Sequence, residues 1–129
     1  MTTPDLNLAR LMGRVLDVLR ERGADLPKPP PYRKGHTDYA PMSPRGRFWI
    51  ADPKHGTNVP DPRDEGWGPV LAEACPLVEV QYDPSEPVPW AATVWRQNVA
   101  VGQAFTRHGP TMTAAVTRAL AVALEVSDG

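Results

Sequence analysis

Apolar residues recur at three- and four-residue intervals near the start of the chain. This spacing places them on one face of a helix and leaves most of the charged residues elsewhere. Gly23 comes directly after the pattern and can adopt the left-handed conformation that ends many helices. The pattern therefore predicts an N-terminal helix over residues 5–22. Its apolar face consists of Leu8, Leu11, Met12, Val15, Leu16 and Leu19.

The second half of the chain predicts three strands between two helices. A short helix is expected from Gly68, and a longer one from Pro110 to about Glu125, with Gly109 as its cap. Between them, segments rich in β-forming residues and bounded by turns predict an antiparallel meander. The fold class is thus α+β, a small three-stranded antiparallel sheet packed with helices in the order helix, strand, strand, strand, helix. The predicted strands are residues 77–82, 90–95 and 99–105.

Residues 24–66 contain nine of the sixteen prolines of the chain. Proline lacks a backbone donor and interrupts both helices and interior strands. We therefore predict a long, irregular and peripheral Pro-rich segment between the first helix and the α/β core at residues 67–125. One stretch, residues 47–51, is apolar enough to form a short strand or to fold its aromatic residues onto the core. The whole chain, residues 1–129, is expected to be one domain, since a single core commonly organises about 100 to 150 residues.

Composition and charge narrow the function classes. No stretch reaches the roughly 18 apolar residues that a membrane span needs, and no signal segment is recognisable. Cys75 is the single cysteine, which fits a reducing compartment, so a cytoplasmic protein is expected. The net charge is only −1, but residues 1–54 carry +4 and residues 55–129 carry −5. Any contact with a polyanion is therefore expected in the N-terminal half.

Residues 66–125 resemble the phage ABA-sandwich family of small phage and prophage proteins. The features that carry the resemblance are a helix opened by Trp67, a polar-alternating strand, an aromatic-rich strand from Trp90 to Trp95, and a small-residue helix after Gly109-Pro110-Thr111. The resemblance implies an α/β sandwich and a bacterial host. It supplies no catalytic residues.

Signals of catalysis and of metal binding are weak. The chain has no P-loop, no dinucleotide fingerprint, no paired CxxC, no HExxH and no GxSxG motif. The spacings nearest to a metal site are His36-x-Asp38 and Asp52-x-x-His55, which we interpret as solvated loop residues. We therefore predict no catalytic residues, no metal and no cofactor.

A group of aromatic and basic residues in the Pro-rich segment predicts a partner-binding surface. Tyrosine, tryptophan and arginine dominate many interfaces, and a segment that orders on contact can wrap a partner. The alternative is that Phe48 and Trp49 close the core. The predicted partner-binding residues are Tyr32, Arg33, Lys34, Tyr39, Arg45, Arg47 and Trp49.

Arg107, His108 and Thr111 form a second candidate site, for an anion at the start of the last helix, where free backbone donors favour negative charge. An ordinary helix entry is the alternative. The helix-strand-strand-strand-helix order is also that of double-stranded-RNA-binding domains. Those domains need clustered basic residues on the final helix, which here offers only Arg118, so nucleic acid is possible but not favoured.

The sequence thus predicts a non-enzymatic accessory protein of phage or prophage type that binds a protein partner, with a host protein as one candidate. The alternative is a nucleic-acid or anionic-ligand binding protein that uses the basic N-terminal half. The oligomeric state stays open.

Overall fold

The computed structural model describes residues 5–29, 31–32, 38–39, 48–74, 78–95 and 104–126. This part of the chain contains three helices and two antiparallel sheets, which makes the fold class α+β. None of the helices in these ranges has the length and apolar character to cross a membrane. The elements in chain order are α1 (Leu6–Glu21), β1 (Asp38–Tyr39), β2 (Trp49–Asp52), β3 (Thr57–Pro60), α2 (Trp67–Glu73), β4 (Val78–Tyr82), β5 (Trp90–Trp95), β6 (Ala104–Gly109) and α3 (Met112–Ala123).

Helix α1 is confirmed with nearly the predicted bounds. The Asp5 side chain accepts a hydrogen bond from the Leu8 backbone N–H at 3.1 Å, which caps the first turn. Gly23, at φ 95°, adopts the left-handed conformation expected after the helix. The predicted apolar face is buried, apart from Leu8 at its edge. The buried residues of α1 are Ala9, Leu11, Met12, Val15, Leu16 and Leu19.

The antiparallel meander is confirmed as the sheet β4-β5-β6. Val80 pairs with Ala92, and Val94 pairs with Phe105, so these side chains share the face that packs against α3. The third strand was predicted at residues 99–105, but the strand that the structure describes runs from Ala104 to Gly109. Residues 99–103 lie outside the described part of the chain.

The start of the last helix corrects the sequence prediction. Gly109 is the final residue of β6 and not a helix cap, and Thr111 caps the helix instead. The Thr111 hydroxyl accepts a hydrogen bond from the Ala114 N–H at 3.1 Å. Leu120 is fully buried on the inner face of α3.

The Pro-rich segment is not irregular throughout, because it contributes the sheet β1-β2-β3. Strands β2 and β3 form an antiparallel hairpin in which Trp49 pairs with Pro60 and Asp52 pairs with Thr57. Proline is tolerated here because Pro60 ends its strand and Pro53 lies in the turn, where few ladder hydrogen bonds are lost. Gly56 closes that turn with a φ of 61°.

The hairpin is also not peripheral. Trp49 joins the main hydrophobic core together with Trp67 of α2 and residues of α1 and α3. Ile50 and Val59 form a second small cluster with Ala9 of α1. Helix α2 begins at Trp67, one residue before the predicted Gly68, and this tryptophan is fully buried. The hairpin therefore lies on α1 and completes the core on that side.

Candidate functional site

A groove with a volume of about 160 Å³ runs between α1 and the β2–β3 hairpin. We call it the α1–hairpin groove. Its charged and titratable lining comes from one stripe of α1 and from the hairpin. These residues are Arg10, Arg14, Asp17, Arg20, Asp52 and His55.

The helix stripe follows from the sequence of α1. Arg10, Arg14, Asp17 and Arg20 are separated by three or four residues, which places them on neighbouring turns of one side of the helix. This side borders the buried face. The long arginine stems can therefore lie along apolar surface while their guanidinium groups reach the groove.

Asp52 is the residue that both Arg10 and His55 contact. It ends β2, and its side chain is 1% exposed. Arg10 donates from Nε to Oδ2 at 2.9 Å and from Nη2 to Oδ1 at 3.0 Å, which makes a bidentate pair. The hydrogen bonds from Arg10 lower the pKa of the Asp52 carboxyl, and those from His55 add to this, although burial acts in the opposite direction.

His55 lies in the turn between β2 and β3 and contacts the same carboxylate. Its Nδ1 is 2.8 Å from Asp52 Oδ2, while the side chain remains 51% exposed. Because a carboxylate only accepts hydrogen bonds, Nδ1 carries the proton in this pair. Nε2 is then an acceptor in the neutral ring and a second donor in the protonated ring. Asp52 thus orients an arginine and a histidine together.

Arg10 keeps unused donors at the groove. A guanidinium carries five N–H groups, and Asp52 engages two of those of Arg10. Arg20 also has fixed partners, since its Nη1 donates to the Pro27 carbonyl at 2.7 Å and its Nη2 pairs with Asp17. Three arginines and two aspartates line the groove, so its formal charge is positive even when His55 is neutral.

The first residues of the Pro-rich segment contact the hairpin that the same segment forms. Asn58 of β3 donates from Nδ2 to the Pro31 carbonyl at 3.2 Å, and Pro29 lines the groove. Pro29 therefore contributes to the lining of the site.

The arrangement is not that of a metal centre. Asp52-x-x-His55 was a candidate for metal ligation by spacing alone, and the two side chains do meet. However, both carboxylate oxygens accept from Arg10, and a guanidinium beside a carboxylate disfavours a cation there. Within the described residues no group of three histidine, cysteine or acidic side chains could hold a metal ion. The second candidate metal spacing, His36-x-Asp38, is not described by the structure, because His36 and the side chain of Asp38 lie outside the described residues.

Within the described residues, Asp52 and His55 lack the nucleophile that a catalytic triad would need. The hydroxyl that lines the groove belongs to Thr57, and it contacts the Asn58 carbonyl at 3.5 Å. Among the described residues, the contacts of the His55 side chain do not include a hydroxyl or thiol that it could activate.

The predicted partner-binding set is corrected at one residue. Trp49 is 2% exposed and belongs to the core, so it cannot present its ring to a partner. Tyr32 is half-buried, and Phe48 is 45% exposed. Tyr39 lies in β1 opposite Trp49. The predicted basic members Arg33, Lys34, Arg45 and Arg47, together with the side chain of Tyr39, lie outside the described part of the chain.

The predicted anion site at the last helix is not formed. Arg107 and His108 are consecutive residues of β6, so their side chains leave opposite faces of the sheet. Arg107 donates to the Thr106 carbonyl at 2.7 Å, and the Thr111 hydroxyl is occupied as the helix cap. The three side chains therefore do not converge on one ligand.

Sequence reasoning missed the groove. The excess of basic residues in the N-terminal half pointed to that half for an anion, and the arginine spacing on α1 is readable in the sequence. What brings Asp52 and His55 to α1 is the hairpin, which was predicted only as an optional short strand.

Comparisons of this chain with protein-family models, with curated proteins and with solved structures find no match. The resemblance of residues 66–125 to the phage ABA-sandwich family therefore stays a prediction from the sequence.

Proposed function

We propose that the protein is a binding module that takes up an anionic group in the α1–hairpin groove. The observation that carries this proposal is the buried Asp52 carboxylate, which holds the Arg10 guanidinium and the His55 imidazole side by side at the groove.

The pairing with Asp52 prepares the groove for an anion. A side chain that is already fixed loses less conformational entropy when a ligand binds, which favours affinity. The remaining N–H groups of Arg10 form a planar fork suited to carboxylate or phosphate oxygens. Arg14 lies one helical turn away on the same side of α1 and lines the same groove, so its positive charge also favours an anion there.

A nuclear magnetic resonance titration with inorganic phosphate tests the proposal. We expect backbone amide shifts to concentrate in α1 and residues 52–58. Arg14→Gln should weaken phosphate binding by about 5- to 10-fold, because a charge-assisted hydrogen bond is lost. Arg118→Gln is the matched control, since Arg118 is a half-buried arginine of α3 that donates to the His108 carbonyl outside the groove.

Two outcomes contradict the proposal. One is the absence of shifts in the groove at phosphate and acetate concentrations of tens of millimolar. The other is equal weakening by Arg14→Gln and Arg118→Gln, which would indicate a nonspecific response to charge.

We retain a protein partner as a second proposed function, in the form of a phage-type accessory protein that binds through the Pro-rich segment. It is favoured by Phe48, a large apolar side chain of that segment that is 45% exposed. Replacing Arg33, Lys34, Arg45 and Arg47 together should weaken partner capture, because arginine and other basic residues contribute strongly to many interfaces. Unchanged capture by the folded variant would place the binding surface elsewhere.

A further inference from the structure

We infer that the ligand of the α1–hairpin groove is a small amphipathic organic anion, namely a single ring or a similarly compact apolar body that carries one carboxylate or phosphate group. The inference rests on the proposed anion-binding function and adds the class of ligand.

The volume of the groove sets the size. At about 160 Å³, it matches an apolar cavity of roughly 150 Å³, which holds one benzene molecule. Sites for larger ligands typically measure about 300 to 1,000 Å³. A benzoate-sized anion therefore fills the groove, and the remainder of any larger ligand would lie outside it.

The apolar part of the groove lining, which we call the floor, is formed by Gly13 and Leu16 of α1, Trp49 and Val59 of the hairpin, and Pro29. Leu16, Trp49 and Val59 are each no more than 5% exposed, so they back the floor from within the core. The apolar surface that a ligand can reach belongs mainly to Gly13 and Pro29. Charged groups surround this floor, which is the distribution that an amphipathic anion requires.

Gly13 keeps the floor open. A glycine inside a helix costs about 1 kcal/mol of stability relative to alanine. A Cβ atom at position 13 would lie 3.5 Å from Val59 Cγ1 and 3.8 Å from Pro60 Cδ, which are ordinary contact distances. The packing of α1 on the hairpin therefore does not require glycine. The absence of a side chain there leaves space in the groove, and we assign Gly13 as the residue that determines which ligand bodies fit.

The polar end of the ligand follows from the same geometry. Arg10 and Arg14 flank Gly13 along α1, three residues before it and one after it. A ring on the floor at Gly13 therefore places its carboxylate or phosphate group within reach of both guanidinium groups and of His55 across the groove.

Calorimetric titration with a set of small probes tests the inference. Benzoate should bind about tenfold or more tightly than acetate, because the ring buries apolar surface on the floor. Phenyl phosphate should likewise bind more tightly than inorganic phosphate. Comparing the affinities for benzoate and phenyl phosphate shows whether the site prefers a carboxylate or a phosphate group. Benzyl alcohol, which has the ring without the charge, should not bind measurably.

Substitutions at Gly13 test its role. Gly13→Leu should weaken benzoate binding about tenfold or more by filling the floor, whereas Asn7→Leu adds the same side chain to an exposed position of α1 outside the groove and should leave binding unchanged. Gly13→Ala should raise the melting temperature, weaken benzoate binding severalfold and leave acetate binding unchanged. This smaller variant keeps the test decisive if Gly13→Leu does not fold.

The outcomes separate the inference from the function on which it rests. Equal affinity for benzoate and acetate, or full benzoate binding by Gly13→Ala and Gly13→Leu, overturns the amphipathic ligand and leaves a simple anion site. Binding of a short single-stranded oligonucleotide that benzoate does not displace also overturns it. Failure of every anion to bind overturns the proposed function itself.

Discussion

The ring of Trp49 meets the ring of Trp67 edge-on, with ring centroids 5.1 Å apart and planes inclined by 84°. This is a favourable geometry for two aromatic quadrupoles. The indole N–H of Trp67 also donates to the Phe48 carbonyl at 3.0 Å, directly before β2. Two contacts thus attach the hairpin to α2, and the hairpin in turn places Asp52 and His55 against α1.

Trp67→Phe should lower the free energy of unfolding by about 1 to 3 kcal/mol. The variant keeps an aromatic ring but leaves the Phe48 carbonyl without its indole donor. Trp95→Phe is the control, because Trp95 is 43% exposed and its substitution should change stability by less than about 0.5 kcal/mol. Urea denaturation followed by circular dichroism measures both. Equal losses of unfolding free energy in the two variants would mean that the hydrogen bond from Trp67 does not stabilise the fold.

A double-mutant cycle on Arg10 and Asp52 should show strong coupling. Arg10→Met leaves the Asp52 carboxylate without its bidentate partner, and we expect it to lower the free energy of unfolding. In the Asp52→Asn background the same substitution should cost much less, since no buried charge remains. Denaturant midpoints of the four proteins give the coupling energy. If the effects of the two single substitutions add up to that of the double substitution within about 0.5 kcal/mol, Arg10 and Asp52 do not stabilise each other.

Stability should fall in acid partly because of Asp52. The Arg10 hydrogen bonds hold the pKa of this carboxyl below its unfolded value of about 3.9. A group with a lowered folded pKa contributes stability above the unfolded pKa, and this contribution is lost as pH falls through the folded pKa. Wild-type melting temperature should therefore drop more steeply below about pH 4 than that of Asp52→Asn. Parallel acid profiles of the two proteins would contradict this assignment.

Gly109→Ala should destabilise the protein by about 1 to 3 kcal/mol. A Cβ atom at Gly109 would lie 2.7 Å from the Ala115 backbone nitrogen and 2.8 Å from the Ala114 Cβ, so the end of β6 and the start of α3 would have to separate. Gly13→Ala introduces the same methyl group without a close contact and should be stabilising. Thermal unfolding of both variants checks the opposite signs. A neutral Gly109→Ala would show that α3 can shift without cost.

The amino-acid sequence by itself determined the elements that depend on local periodicity. The spacing of Leu11, Val15 and Leu19 requires a helix with one buried face, and the strand from Trp90 to Trp95 has the predicted bounds. Leu120 faces inward on α3, as its helical spacing predicts. These features follow from side-chain positions a few residues apart, where the backbone geometry of a helix or a strand fixes which residues share a face.

The β2–β3 hairpin and the α1–hairpin groove became visible only in the tertiary structure. The abundance of prolines predicted an irregular segment, yet Pro53 and Pro60 lie in the turn and at the strand end, where proline does little harm. Arg10 and Asp52 are 42 positions apart, and no local pattern relates them. Their pairing depends on the packing of β3 against α1 and of Trp49 into the core. Side chains this far apart in sequence meet only because burial of apolar surface brings their elements together, and local spacing does not encode that contact.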